Sequence, residues 1–299
     1  MGKIAFIFSG QGDQYPGMGK ELAGKYPAAA YVYEMCDRIR PGTSAQCFGG
    51  TDEELRETKN TQPCLFAVEL AAAEALYDKG IRPDAAAGFS LGEVAAATAA
   101  GIFSREMGFR LVCRRGELMQ KEAEKYDTSM AAIVRLTAGQ VEEICGRYQE
   151  VYPVNFNCPG QTTVSGPASQ MPALFADVKT AGGRAIPLKV KGAFHSPFMR
   201  GAAEAFAAEL KKVEIKKTET ILYSNLTGEP YTDNVVELLS RQIASPVQWE
   251  RLIRNMIADG VDTFIEIGPG RTLTNMVKKI DGQVRAKTVE EYLAEVEAC

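Results

Sequence analysis

Three short apolar runs constrain the fold of this chain more than any other feature, because each of them runs into a turn that contains glycine. Ile4–Phe8 leads into the loop SGQGDQYPGMG, Ala85–Phe89 leads into Ser90, and Thr263–Ile267 ends in GPG. Ile4–Phe8 is apolar at every position, which is typical of a strand that is buried on both faces, and we expect the other two runs to be buried strands as well. Helical stretches follow at Glu21–Tyr33, at Cys64–Lys79 and after Ser90, and a further strand is predicted near Glu219–Asn225. Strands that alternate with helices predict a mostly parallel sheet. The sequence therefore predicts an α/β fold.

From about residue 129 onward, the pattern of predicted elements changes. We predict strands at Met130–Leu136, Val151–Phe156, Gln161–Ser165 and Arg184–Val190, and helices at Ala138–Tyr148 and Gln170–Ala181. The order β-α-β-β-α-β is that of a ferredoxin-like domain. We therefore expect a ferredoxin-like small domain at residues 127–190, inserted between residues 1–126 and 191–299 of a large domain.

The composition limits the partners of the protein. Its 299 residues carry a net charge of -4 without a block of Lys and Arg, which argues against a nucleic-acid partner. No apolar stretch approaches the ~18 residues that cross a bilayer, and the start lacks the features of a signal peptide, so we expect no membrane contact.

The cysteines are odd in number and never form C-x-x-C, which favours buried thiols in a reducing cytoplasm over disulfides or a zinc site. They are Cys36, Cys47, Cys64, Cys113, Cys145, Cys158 and Cys299.

Ser90 occupies the centre of a G-x-S-x-G pattern within GFSLGE. In a nucleophile elbow, a serine sits on a sharp turn from strand to helix, and small residues two positions before and after it let the backbones cross. Gly88 and Gly92 meet that requirement, and the N–H groups at the start of the next helix would face an oxyanion formed there. The pattern alone is also compatible with an ordinary tight turn.

A serine nucleophile needs a general base, and the chain contains a single histidine. This residue, His195, lies in KVKGAFHSPFM, in a loop whose Gly192 and Pro197 favour a fixed, irregular backbone. A lone histidine is also compatible with a packed or surface position. If Ser90 is the nucleophile, His195 is the only imidazole available to it. One histidine with dispersed cysteines leaves no zinc ligand set.

Eight motifs, in this order, resemble those of the malonyl-CoA:acyl-carrier-protein transacylases. They are FSGQGDQYPGMG, NTQPCLF, GFSLGE, RRGELMQ, PVNFNCPGQ, GAFHSPFM, SPVQW and EIGPGRTL, and together they cover essentially the whole chain. The resemblance implies an α/β-hydrolase-like catalytic core with a mostly parallel sheet and an inserted ferredoxin-like small domain, with the active site in the cleft between them. It also implies transfer of a malonyl group from malonyl-CoA to acyl carrier protein in fatty acid biosynthesis.

The resemblance also implies roles for individual residues. Ser90 would take the malonyl group, and His195 would act as its base and then activate the phosphopantetheine thiol of the carrier. The backbone N–H groups of Gln11 and Leu91 would form the oxyanion hole. In the family, a backbone carbonyl at the position of Gln248 orients the histidine, which makes Gln248 a supporting residue.

The carboxylate of a malonyl group has to be held in a largely dry pocket, and the planar guanidinium of arginine suits that task. Arg115 in RRGELMQ aligns with the carboxylate-binding arginine of the family, whereas we expect Arg114 to face solvent. Both residues could instead be ordinary surface charges. The stretch GAFH at residues 192–195 also resembles the form found in malonyl-selective acyltransferases.

The partners follow from the same resemblance. It implies no metal and no bound cofactor, with malonyl-CoA and a phosphopantetheinylated carrier protein as substrates of a monomeric enzyme. Because such carriers are acidic and this chain is acidic too, docking requires a local basic patch. We expect that patch among Lys189, Lys191, Arg200, Arg271, Lys278 and Lys279.

The chain departs from the usual pattern of the family at three positions. Phe89 replaces a histidine, and Ser9 and Asp13 stand where proline and serine are usual. None of these changes removes the nucleophile, the base or an oxyanion donor, but Phe89 alters the contacts available to a malonyl carboxylate. Three other functions stay open: a serine thioesterase or hydrolase, a trans-acting acyltransferase that loads a polyketide synthase carrier, and an inactive module that docks carrier proteins.

Overall fold

A computed structural model describes residues 2–298; Cys299, one of the cysteines expected to be buried thiols, lies outside the described residues. The strands are β1 Lys3–Phe8, β2 Ala85–Gly88, β3 Thr128–Val134, β4 Tyr152–Cys158, β5 Gln161–Pro167, β6 Arg184–Pro187, β7 Ile221–Leu222, β8 Val261–Ile267 and β9 Arg285–Thr288. The helices are α1 Lys20–Lys25, α2 Pro27–Ile39, α3 Thr43–Gly49, α4 Asp52–Arg56, α5 Thr58–Asp78, α6 Gly92–Ala99, α7 Arg105–Ala123, α8 Ala138–Cys145, α9 Met171–Thr180, α10 Arg200–Leu210, α11 Val235–Arg241, α12 Trp249–Ala258, α13 Thr272–Ile280 and α14 Val289–Ala298.

The larger sheet has the strand order β7-β2-β1-β8-β9, and each neighbouring pair is parallel. Its central strand, β1, is completely buried from Ala5 to Phe8, as its apolar run predicts. The register pairs Phe8 with Gly88 of β2 and with Ile267 of β8. The three predicted strands therefore end at the same edge of the sheet, where open α/β folds place their binding sites. The predicted mostly parallel sheet is confirmed.

The smaller sheet is antiparallel and has the strand order β4-β5-β3-β6. Together with α8 and α9, these strands follow the predicted order β-α-β-β-α-β, so the ferredoxin-like pattern is confirmed. Side chains such as Ile133, Val164 and Leu174 form a separate apolar core between this sheet and its helices. The four strands lie between residues 128 and 187, and the domain boundaries at 127 and 190 stay a prediction.

The edge strand β4 is hydrogen-bonded to the segment that precedes α12. The N–H of Phe156 donates to the Val247 carbonyl at 2.9 Å, and the N–H of Val247 donates to the Val154 carbonyl at 2.9 Å. Residues of the smaller sheet and loops from the edge of the larger sheet consequently line one common cavity, in which Asn155 faces Ser90 and its neighbours.

Two helices differ from the lengths that the sequence indicates. The helical stretch predicted from Glu21 to Tyr33 is broken at Tyr26, because Pro27 begins a new helix at a position where no N–H is needed. The helix predicted from Cys64 begins earlier, at Thr58, and contains Pro63 in its second turn. A proline there removes only one hydrogen bond of a 21-residue helix that is buried along most of its length.

Two further observations concern the environment of the chain. Among residues 2–298, no helix is both long enough and apolar enough to span a bilayer. The six cysteines in that range are free thiols, and all but the half-buried Cys113 are buried.

Candidate active site

Ser90 lies on a tight turn between β2 and α6, in the left-handed region of backbone space with φ of 56°. Gly88 and Gly92 are required by the close approach of the backbones: a Cβ added to Gly88 would lie 1.9 Å from the Gly92 carbonyl. A Cβ on Gly92 would lie 2.4 Å from the Ser9 carbonyl oxygen at the end of β1. The G-x-S-x-G pattern therefore forms the strained elbow between strand and helix rather than an ordinary turn.

His195 lies 105 residues after Ser90 in the chain but is in direct contact with it, with Nε2 2.7 Å from Ser90 Oγ. Its other ring nitrogen, Nδ1, is 2.9 Å from the backbone carbonyl of Gln242. Because a carbonyl only accepts hydrogen bonds, Nδ1 carries the proton and Nε2 has a lone pair for the serine hydroxyl. The imidazole is thus held in the tautomer that a general base requires.

The electrostatic environment keeps His195 neutral. Its side chain is only 2% exposed, and burial, followed by the charge of Arg115, lowers its pKa from 6.5 to about 4. Both effects act against the protonated form. The imidazole is therefore free to accept a proton at neutral pH.

The predicted role of Gln248 is wrong. The Gln248 carbonyl accepts the N–H of Leu252 in the first turn of α12, at 2.9 Å, so it is engaged in that helix. The carbonyl that holds His195 belongs to Gln242, six residues earlier. Both glutamines lie within RQIASPVQW, and the sequence carries no signal that tells which of them reaches the histidine. Gln248 lines a neighbouring groove beside His195 instead.

Arg115 extends from α7 to the serine and is completely buried. Its Nη1 donates to Gln62 Oε1 at 2.9 Å, and its Nη2 donates to Gln242 Oε1 at 2.8 Å and to Ser90 Oγ at 3.4 Å. Burial lowers its pKa to about 10, partly opposed by the charge of Glu93, so the guanidinium is still charged at neutral pH. Arg114 is half exposed and pairs with Glu117 at 3.1 Å.

The two predicted oxyanion donors face the same small space as the nucleophile. Gln11 and Leu91 line a cavity of about 70 Å³ together with Ser90 and His195. Within residues 2–298, neither backbone N–H donates to another residue. Their use as an oxyanion hole stays a prediction, and the two free donors beside Ser90 Oγ are what that role requires.

Phe89, which replaces the usual histidine, lines the cavity beside Ser90. Its ring packs edge-on against Trp249, with 5.3 Å between the ring centroids. The indole Nε1 of Trp249 is buried and has no hydrogen-bond partner among the described residues. The substitution therefore makes this wall of the cavity apolar, and the positive charge next to Ser90 comes from the buried Arg115, whose Nη2 lies 3.4 Å from Ser90 Oγ.

A larger cleft of about 710 Å³ opens next to this cavity, between α4, α7 and the start of β3. Residues 188–191 separate the two spaces. Leu188 and Val190 line the small cavity, whereas the exposed Lys189 and Lys191 line the cleft. One extended segment therefore presents apolar side chains to the nucleophile and positive charges to the opening.

The sequence interpretation missed three side chains that hold the site together: Gln62, Gln242 and Asn225. Gln62 is part of the quoted motif NTQPCLF, and its position in a recognisable motif was an available signal. Gln242 contacts three residues of the site, because its carbonyl binds His195, its Oε1 binds Arg115, and its Nε2 donates to the Ser90 carbonyl at 2.6 Å. Its position in the sequence gives no indication of this.

The arrangement is that of a nucleophilic acyl transfer site. It combines a serine hydroxyl bonded to a neutral imidazole, two free backbone N–H groups, and a buried cation close to the serine. A group bound to Ser90 through an ester would lie beside the Arg115 guanidinium, which favours acyl groups that carry a carboxylate.

Comparisons with known proteins agree with this chemistry. Residues 5–293 match the family described as acyl transferase domain. The malonyl CoA-acyl carrier protein transacylase of Bacillus subtilis (strain 168) is 39% identical over 299 residues, which cover 97% of this chain and 94% of that protein.

Two solved structures have the same fold over nearly the whole chain. The malonyl CoA-acyl carrier protein transacylase from Clostridium perfringens has a TM-score of 0.94 at 36% identity, covering 99% of this chain and 98% of its own. A malonyl-transacylase in complex with its type II polyketide synthase acyl carrier protein has a TM-score of 0.95 at 31% identity, covering 99% and 100%.

Proposed function

Because the chain belongs to the acyl transferase domain family, we propose that it transfers a malonyl group from malonyl-CoA to the phosphopantetheine thiol of an acyl carrier protein, through a malonyl ester of Ser90. The names of its relatives support both substrates, since they are malonyl CoA-acyl carrier protein transacylases. The reaction is an acyl-carrier-protein S-malonyltransferase activity, in two half-reactions that share one serine.

In the first half-reaction, Ser90 Oγ attacks the thioester carbonyl carbon as its proton moves to His195 Nε2. The N–H groups of Gln11 and Leu91 stabilise the oxyanion, and one such donor typically contributes about 3 kcal/mol. The C–S bond then breaks, and coenzyme A leaves with the proton from His195. In the second half-reaction, His195 takes the proton of the carrier thiol, the sulfur attacks the malonyl ester, and Ser90 recovers its proton.

The observation that carries the choice of malonyl is the environment of Arg115. The guanidinium is fully buried, its hydrogen-bond partners are neutral side chains, and its Nε has no partner among the described residues. A buried cation without a carboxylate partner is costly, so an acyl group that brings its own carboxylate gains a charge-assisted hydrogen bond there. An acetyl group offers no such partner.

We expect Arg115→Ala to lower the rate of malonylation by about 10- to 100-fold and to change acetylation much less, because only malonyl loses a charged hydrogen bond. The measurement is intact-mass analysis after brief incubation with malonyl-CoA and with acetyl-CoA separately. Arg114→Ala is the matched control: it removes the neighbouring charge, which lies on the exposed side of α7, and should leave both rates unchanged. An equal loss for both acyl groups would assign Arg115 a structural role instead.

The cleft beside the cavity suits the long pantetheine arm that both substrates share. Its Lys189 and Lys191 stand at the opening, on the same segment whose apolar residues face Ser90. We propose that these two lysines form the basic patch for the acidic carrier. Of the other predicted patch residues, Arg271 pairs with Glu291, which lowers its availability for docking.

We expect the double change Lys189→Glu and Lys191→Glu to raise KM for the carrier and to leave the maximal rate of self-malonylation at saturating malonyl-CoA nearly unchanged, because it reverses charges that face the partner and not the serine. Added salt should weaken the affinity of the wild type for the carrier. The control is Lys216→Glu with Lys217→Glu, an exposed pair with the same change in net charge. If both double variants raise KM equally, net charge rather than a patch governs docking.

The remaining properties are also proposals. We propose that the enzyme binds no cofactor and uses only malonyl-CoA and the carrier, in fatty acid biosynthesis and as a monomer. A cytoplasmic location accords with the free thiols of its described cysteines, which a reducing compartment maintains.

A further inference from the structure

The backbone of Ser90 is held by two side chains from a distant part of the chain. Its N–H donates to Asn225 Oδ1 at 2.8 Å, and its carbonyl accepts from Gln242 Nε2 at 2.6 Å. The N–H of Ser90 has no backbone partner among the described residues, whereas its carbonyl also accepts the N–H of Glu93 in the first turn of α6, at 3.1 Å. Because the residue has a left-handed conformation that disfavours every side chain, these two side-chain bonds help to hold the turn in place, and the bond from Asn225 is the one that the Ser90 N–H makes.

Asn225 spans the turn on its own. While its Oδ1 accepts from Ser90, its Nδ2 donates to the Gly88 carbonyl at 2.6 Å, so one amide group binds the chain two residues before the nucleophile and at the nucleophile itself. Asn225 is completely buried and does not line the cavity that contains Ser90 Oγ. It therefore contacts the backbone of the serine from outside the cavity, where it cannot touch a substrate.

The backbone of Asn225 is itself held by hydrogen bonds at both its N–H and its carbonyl. Its N–H donates to Glu93 Oε1 at 2.8 Å, and the same oxygen accepts the Tyr231 hydroxyl at 2.7 Å. Its carbonyl accepts the N–H of Gln248 at 2.8 Å. Since Glu93 lies in the first turn of α6, the side chain that holds the turn is anchored to the helix that the turn begins.

We propose that Asn225 is a positioning residue, which directs Ser90 Oγ toward His195 Nε2 by fixing the peptide groups on either side of the turn. The proposal rests on the proposed function only in taking Ser90 as the nucleophile. Without the amide, the Ser90 N–H and the Gly88 carbonyl lose their side-chain partner, and the peptide before Ser90 keeps only the bond from the Gly92 N–H to the Phe89 carbonyl, at 3.0 Å. A rotation of this peptide displaces both the hydroxyl and the adjacent Leu91 N–H. A displacement of about 1 Å in such a site slows the reaction by about 100-fold.

The test compares Asn225→Ala with the wild type in two assays. Labelling of Ser90 by a fluorophosphonate is followed over time by intact-mass analysis. It gives a rate constant and a final number of labels per chain that do not depend on the acyl substrate. Rapid-quench malonylation gives the maximal rate and the half-saturating concentration of malonyl-CoA. We expect both rates to fall by about 10- to 100-fold, with one label per chain at completion and less than a threefold change in half-saturation.

The matched control is Asn255→Ala. Asn255 also binds a backbone carbonyl, that of Gly228 at 2.9 Å, but makes no bond to the turn. Its variant should react like the wild type.

Two results would overturn the proposal. The first is that both rates are unchanged in Asn225→Ala. The second is that the final labelling stays well below one label per chain while the chains that do react do so at the wild-type rate, because this is the behaviour expected when a purely structural residue is lost. If Asn225→Ala gives no folded protein, Asn225→Ser carries the test, since its shorter side chain leaves a smaller void and still cannot bind both peptide groups. A wild type that takes the fluorophosphonate but no malonyl group would contradict the proposed function and leave the test of Asn225 intact.

Discussion

Ser90→Ala is expected to leave no malonyl adduct after incubation with malonyl-CoA, whereas the wild type should gain one malonyl group per chain. The reason is that, among residues 2–298, no other hydroxyl is bonded to the imidazole of His195. The change should leave the fold intact, because alanine keeps the Cβ and meets the same backbone strain at φ of 56° as serine does. Intact-mass analysis detects the adduct, and a thermal unfolding curve shows whether the fold is intact.

The control for this change is Ser165→Ala. Ser165 is completely buried in β5, and its hydroxyl has no partner within residues 2–298. That variant should carry the full adduct. A stable malonyl group on Ser90→Ala, located by peptide mapping to another residue, would refute the assignment. Rapid release of free malonate by the wild type, without transfer to a thiol, would instead favour the thioesterase alternative.

The parts of the fold that the sequence predicts well are those in which local pattern and burial agree. The run Ile4–Phe8 is apolar at every position because β1 is the central strand of a parallel sheet with both faces covered. The short strand Ile221–Leu222 is different: the sequence indicates a strand from Glu219 to Asn225, but only two of these residues pair with β2. Asn225 turns away to hold the elbow instead, and no local pattern carries that information.

The same distinction applies to the site. Ser90 and His195 can be predicted because a tight turn leaves a glycine signature and because the chain has one histidine to serve as base. The contacts of Gln62 and Gln242 cannot be predicted from the sequence, because an amide side chain occurs equally on a surface, in a turn or in a core. Its hydrogen-bond partner is decided by tertiary packing. The wrong assignment of Gln248 came from the family resemblance carried by SPVQW, whereas Gln242 lies three residues before that motif.

His195→Ala is expected to slow both half-reactions by about 10²- to 10⁴-fold, the usual scale for loss of a general base. The loss should reach the second half-reaction as well, because the same Nε2 that takes the serine proton must take the thiol proton. Single-turnover malonylation measures the first step, and transfer from pre-formed malonyl-enzyme to the carrier measures the second. A variant that keeps the full rate in either step would show that another group is the base.

The pH profile identifies that base, since two buried groups near Ser90 have different pKa values. Burial and the charge of Arg115 lower the pKa of His195 to about 4, and burial raises the pKa of Glu93 to about 7. A base works only when deprotonated, so kcat/KM of the wild type should be level at neutral pH and fall as the pH drops through about 4, in short pH jumps that precede acid unfolding. Because a bound malonyl carboxylate opposes the charge of Arg115, kcat should fall at a higher pH than kcat/KM does. A fall centred near pH 7 in kcat/KM that persists in His195→Ala would assign the base to Glu93 instead.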